Sequence, residues 1–382
     1  MSDVINKFDH PIPLTRPTLP NLDLVLSFFA ESYASGTVTL GQAVSRFEKV
    51  ICRFTGAGSA VAVSSCTSGL MLAFASLDFP DGSEVILPSF TFPATAQALF
   101  WNRLKPVYVD CLPGAMTIDP DEVIKAISLK TVAVCPVTIF GLPPDIAALT
   151  DISDRNEIPL IFDSAQGLGS KYEGRPSGSF GLCEVFSLSP TKVITAIEGG
   201  IVTTNDAELA ERVRSMRDYG KGPDGEALIF NGLSARMSEL HAAVGLASLQ
   251  NAESLINSRR RLIKRYAENT RRFRGCRAQE LPADRDSTGN YFVLLIDRNA
   301  RADRERVWAA LKEYGIQSKR YFYPPTHAHP ALKELPHRIV GELTNTWSAS
   351  QCSLALPLYS HMTDEEQDFV LHALAALLDG PE

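Results

Sequence analysis

Between residues 60 and 205 the chain alternates short β-branched apolar runs with stretches in which apolar residues return every three or four positions. That alternation predicts an α/β fold, a parallel or mostly parallel sheet flanked by helices. Strands are expected at 84–87, 106–110, 131–137, 159–163, 184–188 and 200–203. Several of these runs end on polar residues, and open α/β sheets bind their ligands outside the carboxyl ends of the strands. A helix should begin near Thr67, where Leu70, Phe74 and Leu77 fall at i, i+4 and i+7 behind a Ser/Thr cluster. A second, over 237–252, gathers Leu240, Val244, Ala247 and Leu249 on one side. A long basic helix over 254–274 then leads to a strand at 291–296, a helix at 303–314, a turn-rich Tyr323-Pro-Pro-Thr-His-Ala-His-Pro330 loop and a closing helix at 364–378.

A chain of 382 residues exceeds what one hydrophobic core ordinarily serves, so one large and one small unit are expected. No apolar run approaches the roughly 18 residues needed to cross a bilayer, and the first ten residues lack the basic start and apolar stretch of a secretory leader. A cytoplasmic location is the expectation. The seven cysteines, Cys52, Cys66, Cys111, Cys135, Cys183, Cys276 and Cys352, are scattered without a C-x-x-C pair, which fits a reducing compartment and points to neither disulfides nor a metal centre. A formal net charge of −7 argues against nucleic acid as a partner. The local exception is the basic run of Arg259, Arg260, Arg261, Lys264, Arg265, Arg271, Arg272 and Arg274. With Leu262, Ile263, Tyr266 and Phe273 interleaved, it reads as the solvated face of an amphipathic helix, the alternative being a surface for an anionic partner.

Three segments carry candidate chemistry. In Val185-Phe-Ser-Leu-Ser-Pro-Thr-Lys192 a strand runs into a turn bearing one lysine with little other charge around it. An amine removed from water there suits Schiff-base chemistry, although a surface lysine in a loop is the bland alternative. In Leu160-Ile-Phe-Asp163-Ser-Ala-Gln166 an apolar strand delivers a carboxylate to its end, either to pair with a cationic ligand group or to cap a helix. Val63-Ser-Ser-Cys66-Thr67-Ser68-Gly69 opens the first predicted helix, as a phosphate cradle or as plain capping. Ser187 can add a hydroxyl to that cradle, and Phe92 in Pro88-Ser-Phe-Thr-Phe92-Pro is either a stacking ring or a core residue.

Taken in this order, cradle, aromatic, carboxylate and lysine resemble the DegT/DnrJ/EryC/StrS family of sugar aminotransferases, pyridoxal 5'-phosphate (PLP) enzymes of fold type I in the aspartate aminotransferase superfamily. The likeness runs from Ser35-Gly-Thr-Val-Thr-Leu-Gly41 to Leu354-Ala-Leu-Pro-Leu-Tyr359, and its most specific part is Phe162-Asp-Ser-Ala-Gln166 followed by Phe186-Ser-x4-Lys192 and Glu198-Gly-Gly200. It implies a large domain built on a mostly parallel seven-stranded sheet and a smaller α+β C-terminal domain, divided here as 1–30, 31–253 and 254–382. It also implies catalytic roles for Lys192, as the Schiff-base lysine, and Asp163, as the partner of the pyridine nitrogen. Gln166 would pack near the ring and its hydroxyl, Phe92 would stack on it, and Cys66, Thr67, Ser68 and Ser187 would hold the phosphate. Lys192 separates the chain from the family's sugar dehydratases, which have histidine there.

The departures are informative. The family often has Ser-Phe-His where this chain has Ser187-Leu-Ser189, and His-x-Tyr-Gly where it has Thr138-Ile-Phe-Gly141. Its Gly-x-Asn-x-Arg, whose Asn reaches the partner subunit's phosphate, is Gly232-Leu-Ser234-Ala-Arg236 here, and Cys66 replaces a glycine. The resemblance implies a homodimer with composite active sites that moves an amino group from glutamate or glutamine to a keto-sugar, as a rule nucleotide-linked. The changes at Thr138, Ser189 and Ser234 leave a second reading open: the same cofactor acting on a cyclitol or other natural-product ketone, or in carbon–carbon bond or elimination chemistry.

Overall fold

The computed structural model describes residues 8–379. Fourteen strands lie among them: β1 Ser59–Val63, β2 Glu84–Pro88, β3 Lys105–Val109, β4 Thr131–Val134, β5 Ile161–Asp163, β6 Lys171–Tyr172, β7 Arg175–Pro176, β8 Cys183–Ser187, β9 Gly200–Thr204, β10 Cys276–Ala278, β11 Arg285–Asp286, β12 Phe292–Ile296, β13 Arg338–Ile339 and β14 Ser353–Leu356. Two ladders, β1-β9-β8-β5 and β4-β2-β3-β13, are joined by parallel bridges at Val134–Leu160 and Val137–Asp163. The result is the central seven-stranded sheet β1-β9-β8-β5-β4-β2-β3, in which only β9 runs antiparallel to its neighbours, with short β13 added at one edge. Every residue of β2, β8 and β9 is buried, as expected where helices cover both faces of a sheet.

Helix starts follow local chemistry. Ser65 and Ser68 cap Cys66–Ala75 reciprocally, Asp119 precedes Pro120 at the first position of Pro120–Ala126, and Thr363 with Glu366 boxes the start of Asp364–Leu378. Antiparallel β10-β12-β14 is covered by Ala252–Thr270, Arg304–Glu313 and Asp364–Leu378 around Leu262, Tyr266, Leu294, Leu311, Leu354 and Leu374. Ile12, fully buried, bridges Ile316 and belongs to the same core, so the beginning of the described chain packs on its C-terminal part. Further on, β13 returns to the large sheet, where Arg338 meets the buried carboxylate of Glu84 at 2.7 Å.

The basic run is in part the expected solvated face, with Arg261, Lys264, Arg271, Arg272 and Arg274 exposed, and in part a set of internal ties. Arg259 is 1% exposed and donates to the Asn290 and Leu358 carbonyls and to Ser360 Oγ, while Arg260 donates to the Ser287 carbonyl. Arg261 and Arg265 pair with Asp364 and Asp368 on the closing helix. Much of this positive charge therefore fastens the C-terminal unit together. No helix among the described residues is long and apolar enough to cross a membrane. The sequence stretch read for a leader begins at residues 1–7, outside the described ones.

Candidate active site

The site lies where strands β1, β2, β5 and β8 end. Asp163, the last residue of β5, is 4% exposed. Its Oδ2 accepts the Thr95 hydroxyl at 2.6 Å and its Oδ1 accepts the Ala165 amide at 3.1 Å. Burial pushes this carboxyl up, against the lowering effects of Thr95, the Ala165 amide and the positive charge of Lys192. A buried acid so placed gains from a cationic N–H beside it. Lys192 stands on the turn between β8 and β9, half-buried, with its amide bonded to the Ser189 carbonyl at 3.0 Å. Its charge is felt at Asp163, at Cys66 and at Tyr291.

At the end of β1 the chain turns directly into the helix Cys66–Ala75. Ser65 Oγ accepts the Ser68 amide at 3.0 Å, and Ser68 Oγ gathers the Ser64 and Ser65 hydroxyls, each at 3.1 Å. The Cys66 and Thr67 amides have no acceptor among the described residues, which leaves two donors of the first turn to face an anion. The capping box uses both the Ser68 amide and the Ser68 hydroxyl, the latter accepting the Ser65 amide at 3.1 Å and donating to the Ser65 carbonyl at 2.9 Å. The Cys66 thiol is pushed well up by burial and by Asp163 nearby, and it stays neutral. Gly200, the first residue of β9, pairs with Ser187 and runs beneath this helix start; a Cβ there would lie 2.4 Å from Ser65 C and 2.5 Å from Cys66 N. Only glycine lets Ser187 sit this close to the helix N-terminus.

These features fit PLP on three counts: a helix N-terminus with two free amide donors for the phosphate, a buried cation-seeking carboxylate for the pyridine nitrogen, and a lysine whose charge reaches that carboxylate. The sequence model of the DegT/DnrJ/EryC1/StrS aminotransferase family matches residues 25–375. The chain belongs to this family.

It is therefore a PLP-dependent aminotransferase of fold type I. It is 30% identical over 349 residues to GDP-perosamine synthase of Caulobacter vibrioides, covering 89% of this chain and 91% of that one. It is likewise 30% identical over 384 residues to UDP-4-amino-4-deoxy-L-arabinose–oxoglutarate aminotransferase of Shewanella sediminis, covering 96% and 98%. The solved structure of DesI in the presence of its TDP-sugar product superposes with a TM-score of 0.90 at 32% identity, over 97% of this chain and 94% of that one.

The remaining expected positions fall as follows in the aminotransferase. Phe92 has a ring 53% exposed, which removes the core alternative. The Gln166 side chain accepts the Phe140 amide at 2.5 Å, so its carboxamide oxygen is engaged with the protein. Ser234 is exposed on a segment whose next residue, Ala235, accepts the Ser64 amide at 2.8 Å beside the cradle. Thr138 is 2% exposed and its hydroxyl meets Ser164 Oγ at 3.2 Å. Ser189 is half-buried, 3.3 Å from the Thr191 hydroxyl.

Sequence reasoning missed Thr95 and the Tyr291–Tyr321 pair. Thr95 stands at the start of helix Ala94–Trp101, three residues after Phe92, and its amide bonds the Phe92 carbonyl at 3.2 Å. A hydroxyl one turn beyond the stacking aromatic was the available signal. Tyr291 is 4% exposed and its ring meets that of Tyr321 edge-on at 5.1 Å. Burial pushes its phenol up to about 12 despite the Lys192 charge and Thr191 nearby, so it faces the amine as a neutral hydroxyl. Nothing local at residue 291 signals that placement.

Proposed function

We propose that the protein transfers an amino group from glutamate or glutamine to a nucleotide-linked keto-sugar, with Lys192 and Asp163 as its catalytic residues. The observation carrying this reading is the sealed, cation-seeking Asp163 carboxylate, which feels the Lys192 charge, beside a helix N-terminus that keeps two free donors. When bound, PLP supplies the electron sink that stabilises negative charge at the donor Cα. Lys192 would hold the cofactor through its ε-amine and, as a free amine, would take the proton from the donor Cα and return it. Asp163 keeps the proton on the pyridine nitrogen. The Cys66 and Thr67 amides with the Ser187 hydroxyl would hold the phosphate over the start of the helix that Ser68 caps, Phe92 would cover the ring, and Gln166 would border it.

The nucleotide-linked acceptor is supported by the names of the relatives, which carry GDP-, UDP- and TDP-sugars. A homodimer is supported by the exposed apolar side chains Tyr219, Leu228, Ile229, Phe230 and Leu233, which neighbour Ser234. The test is a half-reaction. Glutamate added to PLP-loaded protein should release one equivalent of 2-oxoglutarate and change the cofactor's visible absorption, and glutamine should release the corresponding oxo acid. Lys192→Ala should fold and bind PLP yet complete no turnover, and an alanine variant working near the wild-type rate would overturn the assignment.

A further inference from the structure

Directly behind Asp163 lies an acid that the proposed chemistry does not use. Glu184 is the second residue of β8, 2% exposed, and its carboxylate is met by uncharged donors: the Gly178 amide at 2.5 Å, the Phe180 amide at 3.0 Å and the Ser164 hydroxyl at 2.8 Å. Because the one Ser164 hydroxyl proton goes to Glu184, the 3.2 Å contact between Ser164 and Thr138 must be a donation from Thr138. The chain therefore runs in one direction, Thr138 to Ser164 to Glu184. Its first two members flank the backbone of the neighbouring acid. The Thr138 amide donates to the Asp163 carbonyl at 3.0 Å, and Ser164 joins Asp163 to Ala165, whose amide holds Asp163 Oδ1. The turn that supplies the two amides cannot yield easily, since a Cβ at Gly178 would lie 2.4 Å from Thr55 Cβ.

A buried carboxylate held by neutral donors is costly to maintain and is a poor choice for strength alone, since an apolar side chain would fill a fully buried strand position at lower cost. We infer that Glu184 is a positioning residue for Asp163, fixing through Ser164 and Thr138 the strand end on which Asp163 is presented to the cofactor. This rests on the role of Asp163 proposed above. In Glu184→Gln the carboxamide oxygen remains for the Gly178 and Phe180 amides, so the NH2 group faces Ser164. Two donors then meet, Ser164 must turn its proton towards Thr138, and the chain reverses while the volume is unchanged.

The experiment is a double-mutant cycle on the full chain with Glu184→Gln, Ser164→Ala and both together, at pH 8, reading kcat, KM, the affinity of the apoprotein for PLP and the melting temperature of the apoprotein. Each single variant should lower kcat roughly tenfold with KM within about twofold, weaken PLP binding several-fold, and combine so that the double variant is no worse than the poorer single one. Multiplying effects, or a lowered melting temperature with wild-type kcat and PLP affinity, would overturn the inference and leave Glu184 a structural residue. Asp163→Asn in parallel separates the two levels: if it is nearly silent, the role of Asp163 itself fails. If it is severe while Glu184→Gln matches wild type, only the positioning role fails.

Discussion

Thr95 donates its hydroxyl proton to Asp163 across 2.6 Å, and the two side chains are buried together at the carboxyl edge of the sheet. Thr95 thereby points one carboxylate oxygen into the protein and, through its amide bond to the Phe92 carbonyl, ties the acid to the loop that carries the stacking aromatic. Thr95→Val keeps the shape and removes the donor, leaving a buried carboxylate oxygen unpaired at a cost of about 1–3 kcal/mol. We expect a fall of roughly tenfold in kcat with PLP retained, against a loss beyond roughly a hundredfold for Asp163→Asn, whose neutral amide cannot stabilise a protonated pyridine. Steady-state kinetics on both variants decide it. Equal, mild effects would reduce Asp163 to a structural cap.

Stability should carry a pH signature of Glu184. Burial pushes this carboxyl up to about 7, against the Gly178 and Phe180 amides and the Ser164 hydroxyl, which pull it down. An ordinary glutamate in the unfolded chain titrates near ~4.3. The folded state therefore binds the proton more tightly, and its contribution to stability is present below about pH 4 and lost as pH rises through 7, on the order of 3 kcal/mol. Glu84 has the opposite sign: burial opposes its charge, but Arg338, Ser128 and Lys105 hold it down to about 2. That group is common to wild type and Glu184→Gln and cancels in their difference. Denaturant titrations from pH 5 to 8 should show the variant gaining on wild type as pH rises, and a constant difference would refute the assignment.

Much of this fold was legible because the central strands are continuous apolar runs with polar ends, and the closing helix Asp364–Leu378 spans the predicted residues. The first strand, Ser59–Val63, was missed because its Ser-Ala-Val-Ala-Val is short and built on small residues. The predicted 131–137 strand stops at Val134 because Pro136 has no amide for the ladder, and pairing resumes as a bridge at Val137. Asp163 could be singled out because it ends a strand, and Lys192 because it stands on the turn that follows one with little other charge around it. Arg259 could not be read, since its partners are carbonyls at 289–290 and 358 that only tertiary structure brings near. Glu184 offered a signal that was passed over, an acid inside a strand apolar on both faces.

The assembly is expected to be a homodimer whose sites are completed across the two-fold axis. Tyr219, Leu228, Ile229, Phe230 and Leu233 expose apolar surface within one short stretch, and Ser234 stands exposed at its end beside the cradle. Sedimentation should give twice the chain mass. Phe230→Asp should shift the protein towards monomer and weaken PLP binding together. An active monomer would rule the composite site out.

Acceptor choice should depend on Ser189 and not on Thr138. Both stand where the family often has histidine, and from sequence both leave space beside the amine. The structure separates them. Thr138 spends its hydroxyl on Ser164 inside the sheet, whereas Ser189 lies half-buried three residues before Lys192, its hydroxyl 3.3 Å from the neighbouring Thr191 hydroxyl, its amide 3.4 Å from the Ser187 hydroxyl and its carbonyl accepting the Lys192 amide. A short hydroxyl there offers an acceptor neither the reach nor the proton of an imidazole. Common nucleotide-linked 4-keto-6-deoxy sugars should therefore bind PLP-loaded enzyme but react slowly, with kcat/KM below roughly 10⁴ M⁻¹s⁻¹, while the glutamate half-reaction proceeds normally. Ser189→His should raise kcat/KM on such a sugar, and Thr138→His should disrupt PLP binding because it breaks the buried chain to Glu184. Efficient wild-type amination of these sugars would show that Ser189 replaces the histidine without consequence.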